Sequence, residues 1–113
     1  MVTVEERGKI DIVALPSARR EVILLVADHL PWPEDEQGKL EHVYLLQEKL
    51  NDYVRYVESG DLWRDFPRAK GRTVVFLVGH KHEIPEDVRW VIVEMQRVLE
   101  GIGIELRMQR KPG

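Results

Sequence analysis

A chain of 113 residues with no cysteine excludes a disulfide framework, a thiolate metal site and a cysteine nucleophile. Seventeen basic against twenty acidic residues leave a net charge of −3, which argues against a nucleic-acid binder that works through a global basic field. No apolar run approaches the ~20 residues that cross a bilayer and the N-terminus lacks the apolar segment of a secretory signal, so one cytoplasmic domain over 1–113 with no membrane contact is expected.

Residues 1–9 carry no period and read as a loose N-terminus. Residues 10–15 read as a strand, with Ile10, Ile12 and Ala14 on one face. Pro16 and Ser17 then turn the chain into a second strand over 21–27, and so short a connection predicts an antiparallel hairpin. Pro31 and Pro33 end that strand, because proline cannot donate to a ladder.

The longest helical pattern follows. Leu40, Val43, Leu46, Leu50, Tyr53, Val54 and Val57 recur every three or four residues and predict one apolar helix side over 39–59. Glu34, Asp35 and Glu36 sit at the positive end of its dipole, and Gly60 closes it as a left-handed cap. Residues 61–71 read as a loop anchored by Leu62, Trp63 and Phe66, and 73–78 as the third strand. Pro85 opens a second helix whose buried stripe is expected to be Val88, Val91, Ile92, Met95, Val98, Leu99 and Ile102. Ile104, Leu106 and Met108 alternate with polar residues in a last strand, and 109–113 read as a tail.

The expected fold is therefore an α+β two-layer sandwich in ββαβαβ order, a four-stranded sheet with two helices on one face. Val22, Ile23, Leu24, Leu25 and Val26, like Val74, Val75, Phe76, Leu77 and Val78, do not alternate with polar residues, so both faces of these strands need cover. The second face is expected to be covered by the aromatic loop, by the N-terminal segment or by a second copy of the chain. A homodimer is the sharper expectation, with Val75, Leu77, Trp63 and Phe66 as its candidate interface.

Chemistry-bearing residues are few. His80 and His82 point to one side of an extended backbone, and parallel pairing of the second and third strands would bring Asp28 and His29 beside them at the sheet's carboxyl end. Asp28, His29, Trp32, His80 and His82 are the candidate ligand-binding residues. No standard metal motif is present, so no metal or cofactor is assigned, and exposed or hydrogen-bonded histidines are the plainer reading. His42 is expected to be exposed or to pack near Trp32, without a role. Ser17 and Ser59 lack a nucleophile context, and the paired carboxylates fall at helix starts, where the dipole explains them. Arg64, Arg68, Lys70 and Arg72 interleave with Trp63 and Phe66 as single-stranded nucleic-acid surfaces do, but Asp61 and Asp65 dilute the charge.

From Asp28-His29-Leu30-x-Trp32, through Leu45-Leu46-Gln47-Glu48-Lys49-Leu50-Asn51-x-Tyr53, to Glu58-Ser59-Gly60 and Phe66-Pro67-Arg68-Ala69-Lys70-Gly71, the chain resembles a family of small uncharacterised bacterial proteins with a domain of unknown function. The resemblance spans about 10–106, implies a stand-alone bacterial domain and carries no activity with it. The expected function is that of a non-catalytic, self-associating binding or accessory protein. The alternative is a small metal-dependent or acid-base enzyme using His29, His80 and His82. The third is a nucleic-acid accessory protein using the 63–72 loop.

Overall fold

In the computed structural model, which describes residues 5, 9–10 and 13–111, the two wholly apolar runs lie side by side at the centre of one four-stranded mixed sheet. The strands are β1 (Val13–Ala14), β2 (Glu21–Asp28), β3 (Thr73–His80) and β4 (Ile104–Arg110), in the order β1-β2-β3-β4. β1 pairs antiparallel with β2 through the expected hairpin, whereas β2, β3 and β4 run parallel. Parallel neighbours need long crossovers, and helices supply both of them. Asp11 and Ile12, expected in the first strand, lie outside the described residues, as do most of 1–9 and residues 112–113. Gln109 and Arg110, expected in a tail, extend β4 instead.

The first crossover carries α1 (Glu36–Glu58), whose first turn is held by the Asp35 side chain accepting from the Gly38 amide at 2.8 Å. Gly60 takes the expected positive φ of 88° just past its end. Residues 61–71 are not a bare loop: they hold the short helix α2 (Asp61–Asp65) and a 3₁₀ turn over Pro67–Ala69. The second crossover carries a 3₁₀ turn over Glu86–Val88 and then α3 (Arg89–Glu100). The chain is thus an α+β domain with three helices and a four-stranded sheet.

One core joins alternate strand residues to the helices. Val22, Leu24 and Val26 of β2, Val74, Phe76 and Val78 of β3, and Ile104 and Leu106 of β4 pack with Leu46, Leu50 and Tyr53 of α1 and Ile92 and Leu99 of α3. Trp63, Tyr56 and Leu45 pack against the same cluster, while Leu40, Val98 and Ile102, expected in the buried stripes, are exposed.

The other sheet face is covered from within the chain at Val75, while Ile23, Leu25 and Leu77 are half-buried there. Glu21, Val75 and Arg107 share that face by alternation and register, and Arg107 on β4 grips the Glu21 carboxylate on β2 across the intervening β3. Arg107 also pairs with Glu105 and lies near enough for Arg19 to join Glu21 at 3.8 Å. Beneath this arch Val75 is 0% exposed, so the residue expected at a dimer interface already has its cover. The Lys111 chain lies over Gly79, where an added Cβ would meet its Cε at 2.4 Å. Arg107 holds the Glu21 carboxyl below the usual carboxylate range, chiefly through its hydrogen bond.

Two local contacts carry predictions. Replacing glycine by alanine in a helix ordinarily stabilises by about 0.4–1 kcal/mol. Gly38→Ala is expected to do the opposite, because its Cβ would lie 2.6 Å from Pro33 Cβ and 2.9 Å from Oδ1 of the capping Asp35. A raised urea midpoint for this variant would refute that packing. At the α1–α2 junction the Tyr56 hydroxyl donates to Asp65 Oδ2 at 2.9 Å, and burial, helped by that bond, pushes it up to about 12. The folded state holds this proton more tightly than the unfolded state does. The stabilisation is therefore complete below pH 10 and is lost as pH rises toward about 12. Phenolate absorbance should show a tyrosine ionisation near pH 12 that moves to lower pH in Asp65→Ala.

Candidate functional site

Parallel pairing places Asp28 opposite His80 and His80 opposite Arg110, so the last residues of three strands form one transverse row at the sheet's carboxyl end. All three share the alternation of the core residues. Open α/β sheets bind ligands at this end because the crossover loops and helix starts converge there.

Behind the row sits a buried polar pair. Asp28 Oδ2 and His42 Nε2 are 2.7 Å apart, with 2% and 3% of their side chains exposed. A carboxylate only accepts, so His42 donates through Nε2. The second oxygen, Asp28 Oδ1, accepts from the Leu30 amide at 3.3 Å, and the Lys81 amide donates to the Asp28 carbonyl at 3.0 Å. Trp32 folds back over His42 with the ring centroids 3.7 Å apart and the planes 9° from parallel. The two prolines around Trp32 hold the returning chain extended, which sets the indole on the second turn of α1.

In front of the row lies an open cleft of about 380 Å³, lined by His80, Glu83, Ile84, Arg89, Ile92, Val93, Met108 and Arg110. His80 is 8% exposed, and its Nδ1 lies 2.9 Å from the His82 carbonyl. A carbonyl only accepts, so Nδ1 carries the proton and a neutral His80 keeps its lone pair on Nε2. Among the described residues neither Arg89 nor Arg110 has a carboxylate within ion-pair distance. Ile84, Ile92, Val93 and Met108 supply the apolar walls.

The sequence-predicted residues divide accordingly. Asp28 and His80 come together as parallel pairing required, but Asp28 is engaged with His42, on which Trp32 stacks. His29 points away from the row, exposed and 3.4 Å from Glu5. His82 contributes its backbone carbonyl to His80. Among the described residues no group of three or more histidine, aspartate or glutamate side chains is placed to hold a metal ion. Of the basic residues near Trp63, Arg64 pairs with Asp61 and Asp65, and Arg72 Nη1 donates to the carbonyls of Pro16 and Glu21, each at 3.1 Å, which staples the β1–β2 turn. Leu77 is half-buried on the covered sheet face, Trp63 is half-buried against the core, and Phe66 is exposed.

His42 packs against Trp32, one of the two placements the sequence allowed, but its pairing with Asp28 was missed, as were Arg89 and Arg110 as cleft residues. His42 does leave a trace: with Leu46, Lys49 and Tyr53 it forms a stripe of spacing four, three and four, all of it buried. No helix among the described residues is long and apolar enough to cross a membrane. Neither a curated protein nor a solved structure matches the chain. The model of a family of unknown function, DUF6572, does match, over residues 2–111, and the chain belongs to that family.

Proposed function

We propose that the protein works by binding rather than by catalysis, as a self-associating module whose ligand is a small organic anion with an apolar body, taken in the cleft in front of His80. The observation that carries this reading is the pair of guanidinium groups, Arg89 and Arg110, that have no carboxylate partner among the described residues and are set around an apolar wall. A guanidinium presents a planar fork of donors that matches a carboxylate or phosphate. Ile84, Val93 and Met108 offer contact to the rest of such a molecule, and His80 adds one polar anchor. Glu83 on the same cleft disfavours a second negative group, which selects a single anionic head over a polyphosphate or a nucleic-acid strand. The reading takes the domain as a two-layer sandwich, with α1 and α3 on one sheet face, as right-handed parallel crossovers require.

Catalysis is disfavoured by the placement of the acid-base pair. Asp28 and His42 are spent on each other and sealed by Trp32, whereas a general base must reach the proton that it removes. The test is a titration of phenyl phosphate into isotopically labelled protein, followed by amide shifts. Shifts centred on Ile84, Arg89, Val93 and Arg110 are expected, with affinity about tenfold weaker in Arg89→Ala or Arg110→Ala, the loss of one charged hydrogen bond. Benzyl alcohol, which lacks the anion, should move nothing. The reading falls if phenyl phosphate leaves these amides unmoved at millimolar concentration, or if it binds the double arginine variant equally well.

A further inference from the structure

We infer that two copies of the chain join through β4, edge to edge and antiparallel about a dyad at Leu106, so that the two sheets become one. This rests on the reading of the chain as self-associating and adds the surface and the register. The strand order leaves β4 at one edge of the sheet, and its seven residues contain no proline, no lysine and no glycine to blunt it. The Lys111 amide donates to the His80 carbonyl, so the odd-numbered residues of β4 turn their backbone groups toward β3. Ile104, Leu106, Met108 and Arg110 therefore turn theirs outward, and Gln96 Nε2 on α3 reaches round to the Leu106 carbonyl at 3.1 Å.

Charge selects both the occupant and the register. A dyad at Leu106 sets residues whose numbers sum to 212 opposite each other. Glu105, which pairs with Arg107 of its own chain, then also faces Arg107 of the second copy, twice, while Ile104 faces Met108 and Leu106 faces Leu106. A dyad at Glu105 or at Arg107 would instead place like charges face to face, which is destabilising.

The absence of cysteine makes the register directly readable. Separately purified Glu105→Cys and Arg107→Cys variants, mixed and then oxidised, should give a disulfide-linked pair containing one of each. Either variant oxidised alone should remain uncross-linked. Light scattering over a wide concentration range should report a dimer for the natural chain and a monomer for Glu105→Arg. Circular dichroism on each variant separates loss of pairing from loss of folding. If the natural chain is monomeric at every concentration, both this inference and the self-association within the proposed function are overturned. A dimer that tolerates Glu105→Arg and gives no mixed disulfide overturns the β4 interface alone.

Discussion

Phe76→Ala should cost about 3–5 kcal/mol, the range for deleting a buried aromatic ring, and should lower the melting temperature by about 10–25 °C. Phe76 is wholly buried on β3, between β2 and β4, and its ring meets Tyr53 edge-on at 5.6 Å and 87°. The edge-to-face pair adds about 0.5–1.5 kcal/mol beyond the burial of area. Tyr53 cannot move into the space, because its hydroxyl donates to the Leu25 carbonyl at 2.5 Å and holds the ring in place. A cavity whose walls cannot collapse retains its full penalty. For a domain of this size the loss approaches half of an ordinary stability of about 5–15 kcal/mol. Urea unfolding followed by tryptophan fluorescence measures it. A loss of less than about 1 kcal/mol would mean that the core closes over the gap and that the Tyr53 anchor does not hold.

The same residues mark what was legible in the sequence. Phe76 and Tyr53 belong to patterns that the chain displays locally: an unbroken apolar run flanked by polar residues, and a stripe repeating every three or four positions. β2, β3, α1 and α3 could be placed from those patterns because each buries a side set by its own spacing. α2 could not, since five residues give no period, and its formation depends on Gly60 at positive φ and on packing of Leu62 and Trp63. The cover over Val75 was equally out of reach: it is an ion pair between Glu21 and Arg107, 86 positions apart, and nothing local to either residue announces the other. Unmet apolar surface was the premise for a dimer through that face; the chain itself covers Val75, and Ile23, Leu25 and Leu77 stay half-buried there.

At the carboxyl end the sequence allowed half of the site. Asp28 and His80 could be brought together by assuming parallel strands, since both end apolar runs of similar length. His42 could be set near Trp32 but not paired with Asp28, because polarity hides a helical stripe that its position obeys. Lys49 and Asp52 sit in the same blind spot: both are buried on α1, Lys49 reaching the Lys9 carbonyl at 2.6 Å and Asp52 pairing with Arg55. Spacing reports which side of a helix faces inward, whereas residue type reports only what that side usually contains.

Asp28→Ala should cost about 3 kcal/mol, because it strands the His42 Nε2 donor and the Leu30 amide where water does not replace the lost acceptor. Asp28→Asn, which keeps one acceptor oxygen for His42, should cost about a third as much. His42→Ala should be comparable to Asp28→Ala, since it leaves the carboxylate short of its donor and removes the ring on which Trp32 stacks. If the two side chains act as one unit, the double variant Asp28→Ala/His42→Ala will be less damaged than the sum of the singles by at least about 1 kcal/mol. Urea midpoints on the four proteins of this cycle measure the coupling. Its second readout is the cleft: Asp28 lies opposite His80 in register, so a structural pair should weaken phenyl phosphate binding only as far as the carboxyl end of the sheet loosens. Additive costs, within about 0.5 kcal/mol, would dissolve the pair. Asp28 would then stand as a buried carboxylate held by the Leu30 amide alone, and the two acid-base residues would no longer be spent on each other.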